Sequence, residues 1–307
     1  MTGTGTETDP FIVGSWSEFV SANAGNSQKF IKFADSDNKT IDFNDISPAG
    51  MGTIVIKNYI DFNDWTLMNF YTESQTALKI ETIREGYFRI KNLNFLNFYH
   101  RASKATFILL MDYESASSTF MRNVMINCKF SGCVDYSGES YFIRNSRKVI
   151  SKIIGCSFNI EGKSDNDLTL VLGTSGNPFT DYVAVTCQSV QFKLNLNLAS
   201  GSICKATVLK ECLIDGKINI TSEQTEVAMI VGDATSDKVD IGGNNVCLLN
   251  ANKPIWYYQK GDNILVYDNT QSTFTENSVN AIGCQCQQLK RYWHLPRIKN
   301  QTRIQRK

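Results

Sequence analysis

One five-residue pattern recurs along this chain and limits its fold more than any other feature. A polar or apolar residue is followed by Asn or another turn former, then Cys or an aliphatic, any residue, and Phe or an aliphatic. It reads Lys91-Asn92-Leu93-Asn94-Phe95, Ile126-Asn127-Cys128-Lys129-Phe130 and Ile154-Gly155-Cys156-Ser157-Phe158. Weaker copies are Gln188-Ser189-Val190-Gln191-Phe192, Lys210-Glu211-Cys212-Leu213-Ile214 and Asn244-Asn245-Val246-Cys247-Leu248. Their last positions are 95, 130, 158, 192, 214 and 248, spaced by 35, 28, 34, 22 and 34 residues. A fixed strand motif at an irregular period means a solenoid with loops of variable length.

The segments between copies are also strand-like. Lys193-Leu194-Asn195-Leu196-Asn197-Leu198 and Lys217-Ile218-Asn219-Ile220 alternate polar and apolar, and no long helical periodicity runs between residues 40 and 280. In a parallel β-helix, equivalent residues of successive coils stack. Cys128, Cys156, Cys212 and Cys247 are then expected in one inward ladder with Leu93 and Val190. Asn92, Asn127 and Asn245 are expected at bends, where Asn tolerates left-handed backbone. Composition fits: Asn fills 28 positions and Pro only 5, and Pro would remove ladder donors. The competing architecture is a β-sandwich with chance similarity. We expect an all-β, right-handed parallel β-helix of the pectate-lyase-like kind with a short N-terminal capping helix.

That helix is written in Ser15-Trp16-Ser17-Glu18, a capping box with Ser at N-cap and Glu at N3. Trp16, Phe19 and Val20 fall at i, i+3 and i+4, one helical face, and Gly25 can end the helix in left-handed backbone. Phe30–Phe33 and Ile41–Ile46 read as strands. The expected organisation is an entry segment and capping helix over 1–50, a β-helix body over 51–286 and a basic C-terminal attachment tail over 287–307.

Charge supports that last boundary. The chain carries 31 Lys+Arg and 30 Asp+Glu, a formal +1. Seven bases and no acid lie in 287–307, so residues 1–286 hold 24 bases against 30 acids, a net −6. Lys290, Arg291, Arg297, Lys299 and Arg303 are interleaved there with Trp293, Tyr292 and Leu295. A solvated basic terminus and an anchor that docks on an acidic partner or nucleic acid fit such a tail equally, since a purely solvated tail would not need Trp293 and Leu295.

Other classes fall away. The best apolar run is Phe107 to Met111, far below a membrane span. The opening residues carry no basic n-region or apolar h-region, so no secretory signal is expected. The nine cysteines, an odd count without such a signal, read mostly as buried small hydrophobes. No cofactor is expected. No phosphate loop is present: Gly242-Gly243 lacks a following Lys-Ser/Thr. Cys284, Cys286 and His294 lack zinc spacing and a fourth ligand. Asp165 and Asp167 sit in a loop without the Gly and Glu of an EF-hand. Both histidines, His100 and His294, read as surface residues outside any Ser–His or Cys–His motif. Paired carboxylates from different coils leave no motif. By loop context the weak catalytic candidates are Asp165 with Asp167, Glu223 with Glu226, and Asp233 with Asp237.

The opening Gly3-Thr4-Gly5-Thr6-Glu7-Thr8-Asp9-Pro10-Phe11-Ile12-Val13, followed by Trp16 and Glu18-Phe19-Val20, resembles the N-terminal segment of right-handed β-helix proteins of tailed bacteriophages and prophages. The resemblance is specific over residues 3–20. Over the body it is generic to pectate-lyase-like β-helices, and the Asp-Asp, Gly-His and Arg-x-Pro-x-x-Arg blocks of their enzymes are missing. It implies a virion protein made in the host bacterial cytoplasm: a head fibre, a decoration protein or a tail-associated protein. The implied partners are copies of itself, often as a homotrimer, capsid or tail subunits, and host-surface glycans. The alternative is a tailspike depolymerase that cleaves host polysaccharide with an Asp/Glu pair. A bacterial surface adhesin is a weaker third reading.

Overall fold

The computed structural model describes residues 1–25, 29–81, 87–110, 121–145, 149–172, 185–205, 207–223, 229–231, 246–252, 255–259 and 263–267. The chain is all-β, a parallel β-helix of stacked three-faced coils. The first face is an eight-stranded sheet, wholly parallel, running from Phe11–Val13 through Phe30–Phe33, Tyr59–Asp61, Tyr87–Lys91, Met121–Ile126, Val149–Ile154 and Val185–Gln188 to Thr207–Lys210. The second and third faces belong to one sixteen-stranded sheet that is bent. Long strands such as Ser157–Leu172 and Gln191–Lys205 run around the bend, with a register shift between Ser164 and Asp167.

Equivalent residues stack as the recurring pattern requires. Ile31, Ile60, Ile90, Met125, Ile153, Cys187 and Leu209 form one buried column on the first face. On the second, Ile41, Leu67, Phe95, Phe130, Phe158, Phe192, Ile214 and Cys247 stand in register. Phe130 and Phe158 stack at 5.0 Å with 6° between ring planes, and Phe158 and Phe192 at 5.3 Å with 14°.

The corner joining these two faces is made by the turn former. Asn92, Asn127, Gly155, Ser189 and Glu211 all have φ between 52° and 61°. This left-handed residue turns the chain from the first face onto the second in one step. Its N–H then donates to the next coil: Asn127 N to the Ile154 carbonyl at 3.0 Å, Gly155 N to that of Gln188 at 3.0 Å. The following residue points inward, so Leu93, Cys128, Cys156, Val190 and Cys212 are buried one above another, as expected. Cys247 is not in that column. It pairs with Ile214, and Val246 with Leu213. Val246 to Leu249 is an unbroken apolar run, so the sequence carries no parity there, and with Leu249 and Ala251 buried the motif's third residue, Val246, faces Leu213 instead of Cys212, one residue from the motif alignment. Asn245 lies outside the described residues.

The N-terminal end is closed by α1 (Trp16–Asn23). Ser15 Oγ accepts from Glu18 N at 3.3 Å, and the Glu18 carboxylate reaches back to Gly14 N at 2.7 Å, one residue beyond the usual box. Gly25, at φ +83°, follows its end. Phe19 is buried among Trp16, Phe33 and Phe62. Val20 is 50% exposed, against expectation. The buried stripe runs through Phe19, Ala22 and Asn23, because Asn23 anchors α1 by donating to the Val55 carbonyl at 2.7 Å and accepting from Lys57 N at 3.0 Å. The expected strand Ile41–Ile46 is also cut short. It ends at Asp42, whose carboxylate accepts from Asn44 N at 2.9 Å and starts the one-turn helix α2 (Phe43–Ile46), burying Phe43. Coil stacking begins before residue 51, since Phe30–Phe33 and Thr40–Asp42 already pair with strands of the body.

The side chains of Cys128, Cys156, Cys187 and Cys212 are buried, and Cys133 is half-buried. Cys284 and Cys286 lie outside the described residues. Among the described residues, no helix is long and apolar enough to cross a membrane.

Close stacking leaves some positions room for glycine only. Gly162, at φ +124°, lies so near Val134 that an added Cβ would sit 2.0 Å from the Val134 carbonyl oxygen. Gly162→Ala is expected to cost about 3 kcal/mol, since backbone strain and overpacking act together. Urea unfolding checks this, and a loss below about 0.5 kcal/mol would show that the coils can separate there at little cost.

Candidate functional site

The outward residues of the second face form ladders of their own. Arg101, Asp135 and Lys163 stand in register on three successive coils. Their charges alternate, which favours this register over a slipped one. Arg101 Nε lies 3.6 Å from Asp135 Oδ2, and Lys163 Nζ lies 3.3 Å from Asp135 Oδ1 and 3.2 Å from Asp165 Oδ2. One coil earlier, Tyr71 pairs with Tyr99, with rings parallel within 10° at 5.6 Å. Tyr71 Oη donates to Glu73 Oε1 at 2.5 Å and Tyr99 Oη to Asp135 Oδ2 at 3.3 Å.

At the bend between the second and third faces these groups border a groove of about 490 Å³, lined by Glu73, Arg101, Ala102, Ser103, Asp135, Ser137, Lys163 and Asp165. The neighbouring charges set its acid–base behaviour. The carboxylates of Asp165 and Asp135 hold the Lys163 ammonium above its ordinary pKa. Tyr71 is raised by its hydrogen bond to Glu73, and Tyr99 by desolvation and then by Asp135.

These contacts define what the groove can do. Asp135 and Asp165 both reach one ammonium, so their oxygens lie no farther apart than the sum of two ion-pair distances. That separation is compatible with a glycosidase pair. A general acid, however, needs a carboxyl that is buried in an apolar pocket or crowded by another anion. Here each carboxylate is compensated by a cation, and the Asp165 side chain is 55% exposed. The groove is built to accept and donate hydrogen bonds and to screen charge.

The sequence candidates are dispersed. Asp165 lines the groove, but its expected companion Asp167 turns to the next coil, accepting from Ser200 Oγ at 3.1 Å. Glu223 sits in an exposed turn. Glu226, Asp233 and Asp237 lie outside the described residues, as do Cys284, Cys286, His294 and the tail residues Lys290, Arg291, Trp293, Arg297, Lys299 and Arg303. Among the described residues, no group of three or more His, Cys, Asp or Glu is placed to hold a metal ion. The capping residues Ser15, Trp16, Glu18 and Phe19 lie together at the N-terminal end, where the Glu18 carboxylate also pairs with the Met1 ammonium.

His100 corrects the reading of it as a surface residue. It is fully buried. Nε2 lies 2.7 Å from the Ser74 carbonyl and Nδ1 3.0 Å from Tyr136 Oη. The carbonyl can only accept, so Nε2 carries the proton and Nδ1 accepts from the tyrosine. Burial lowers its pKa to about 4, only partly opposed by the Ser74 contact. Alternation along Asn94–Ala102 explains the position: a one-residue register shift at Asn97, with φ 52°, turns His100 inward.

Sequence reasoning missed Arg101, Asp135 and Lys163, although a signal existed. Asp135 and Lys163 each follow the motif phenylalanine by five residues, Phe130 and Phe158; Arg101 follows Phe95 by six because of the extra residue.

No family model matches the chain, and no curated protein matches it. Among solved structures, it is similar to a crystal structure from Bacteroides ovatus described as "a putative immunoglobulin A1 protease", at 14% identity and a TM-score of 0.49, over 89% of this chain and 84% of the other. At that level the likeness carries no argument about this chain.

Proposed function

We propose that the chain is a non-enzymatic structural component of a bacteriophage particle, a head fibre, decoration or tail-associated protein that presents a binding surface for host-surface glycans. The observation that carries the non-enzymatic part is the compensated charge ladder Arg101–Asp135–Lys163–Asp165, which offers hydrogen bonds but no poised acid. The virion assignment rests on the N-terminal segment 3–20 preceding a capped parallel β-helix. In this reading the protein assembles as a homo-oligomer, a trimer, and residues 287–307 attach it to capsid or tail subunits. The depolymerase reading is favoured by one feature, the approach of Asp135 and Asp165 to a single ammonium.

Two measurements test this. The purified protein should bind envelope polysaccharide of its host without releasing oligosaccharides. Release that is lost in Asp135→Asn or Asp165→Asn would establish the depolymerase instead. Deleting 287–307 should remove the protein from gradient-purified particles, as measured by mass spectrometry, and undiminished incorporation would refute the tail as anchor.

A further inference from the structure

The first face carries a charge pattern that the groove does not explain. Ile90, Met125, Ile153, Cys187 and Leu209 point inward, so their neighbours point out. Lys32, Arg89, Lys152 and Lys210 are exposed there, and Lys91 is half-exposed. The only acid in the same outward rows of described residues is Asp61, already paired with Lys91 at 2.8 Å. No described carboxylate lies within ion-pair distance of the other four. Among the described outward residues of this sheet the cations thus outnumber the acids, in a chain whose first 286 residues sum to −6, and the acid Glu7 adds to the field at Tyr59 near the N-terminal end.

The cations are spaced, not clustered. In the strand order of this sheet they fall on the second, fourth, sixth and eighth strands. Adjacent strands lie about 4.8 Å apart, so a cation row recurs roughly every 10 Å along the coil axis. Between the rows lie half-exposed Val124 and Ile126, Ile154 flanks Lys152 on its own strand, and Phe30 stacks on Tyr59 at 4.5 Å toward the N-terminal end. This combination selects its ligand. Duplex DNA presents one negative charge per about 1.7 Å and would leave most phosphates unmatched. A linear polysaccharide with one acidic group per disaccharide repeat presents its charges far more sparsely. Its sugar C–H faces also suit the aliphatic and aromatic strips between the rows.

We propose that the outward face of the first sheet binds an extended anionic polysaccharide, laid along the coil axis, through Lys32, Arg89, Lys91, Lys152 and Lys210. This deepens the glycan-binding reading, on which it rests, by assigning a second surface and a charge class. The test uses hyaluronan oligosaccharides, which carry one carboxylate per disaccharide, with neutral dextran and a short DNA duplex as comparisons, in calorimetric titrations of the full-length protein. Hyaluronan should bind at about 50 mM salt and weaken severalfold by about 200 mM, as counterion release requires. Arg89→Glu with Lys152→Glu should weaken it by about 10-fold or more, and the milder Arg89→Gln with Lys152→Gln by a smaller factor at an unchanged unfolding midpoint. Arg101→Gln with Asp135→Asn, in the groove, should leave it unchanged. The proposal is overturned by absent hyaluronan binding, by equal binding of dextran, by tighter binding of DNA, or by indifference to both first-face double variants. If host polysaccharide binds and depends on the groove while hyaluronan does not bind, the function proposed above stands and this inference alone fails.

Discussion

Phe158→Ala is expected to lower the unfolding free energy by about 4 kcal/mol, in the range for deleting a fully buried phenylalanine. Phe158 is fully buried, and its ring is held between Phe130 at 5.0 Å and Phe192 at 5.3 Å. Truncation removes two ring contacts at once. The cavity left behind cannot close, because the coils above and below are tied by parallel ladder hydrogen bonds on both flanks. In a solenoid, stability is a sum of coil terms and nearest-neighbour terms, and this substitution weakens the interfaces on both sides of one coil. The urea transition should therefore move to lower denaturant and become shallower, as the N-terminal and C-terminal coils begin to unfold separately. Phe158→Leu keeps most of the volume and should cost less than about 1.5 kcal/mol. If Phe158→Ala costs no more than Phe158→Leu, the column is not what couples the coils.

Much of the fold was legible in the sequence because solenoid stacking repeats one local solution. The left-handed corner needs Asn, Gly or another tolerant residue, and the next position must be apolar to fit inside it. Asn127-Cys128 and Gly155-Cys156 state both needs in adjacent letters. The pattern fails where the letters stop discriminating. Val246-Cys247-Leu248-Leu249 is apolar throughout, so either parity reads equally well. Ile41 to Ile46 alternates like a strand, yet one carboxylate, Asp42, caps a helical turn and ends it. His100 read as a surface residue because nothing local shows that Ser74 and Tyr136, 26 and 36 residues away, satisfy both ring nitrogens. The groove was hidden for a related reason. Its charges come one per coil, and only stacking in three dimensions makes Arg101, Asp135 and Lys163 neighbours.

The buried histidine should make stability depend on pH in a defined window. His100 has a pKa lowered to about 4 in the folded chain, against 6.5 for an ordinary histidine. Above pH 6.5 the ring is neutral in both folded and unfolded chains and contributes no slope. Between 6.5 and 4 the unfolded chain takes up a proton that the folded chain refuses, so stability falls as pH falls. The loss approaches about 3 kcal/mol near pH 4, at 1.36 kcal/mol per pKa unit. Below that the folded ring is itself protonated. Nδ1 then becomes a donor facing Tyr136 Oη, which must give up its own donated bond. Carboxylates titrate in the lower part of the same window, so the wild-type curve alone cannot isolate the ring. His100→Gln can: its amide can donate to the Ser74 carbonyl and accept from Tyr136, but it takes up no proton. Urea unfolding at pH 7, 6, 5 and 4.5 should show the wild type losing stability faster than the variant by up to about 1.4 kcal/mol per pH unit, with the carboxylate contributions cancelling in the difference. Parallel curves for the two proteins would mean that the ring is hydrated or protonated in the folded chain, and that the buried Ser74–His100–Tyr136 chain of hydrogen bonds does not hold in solution.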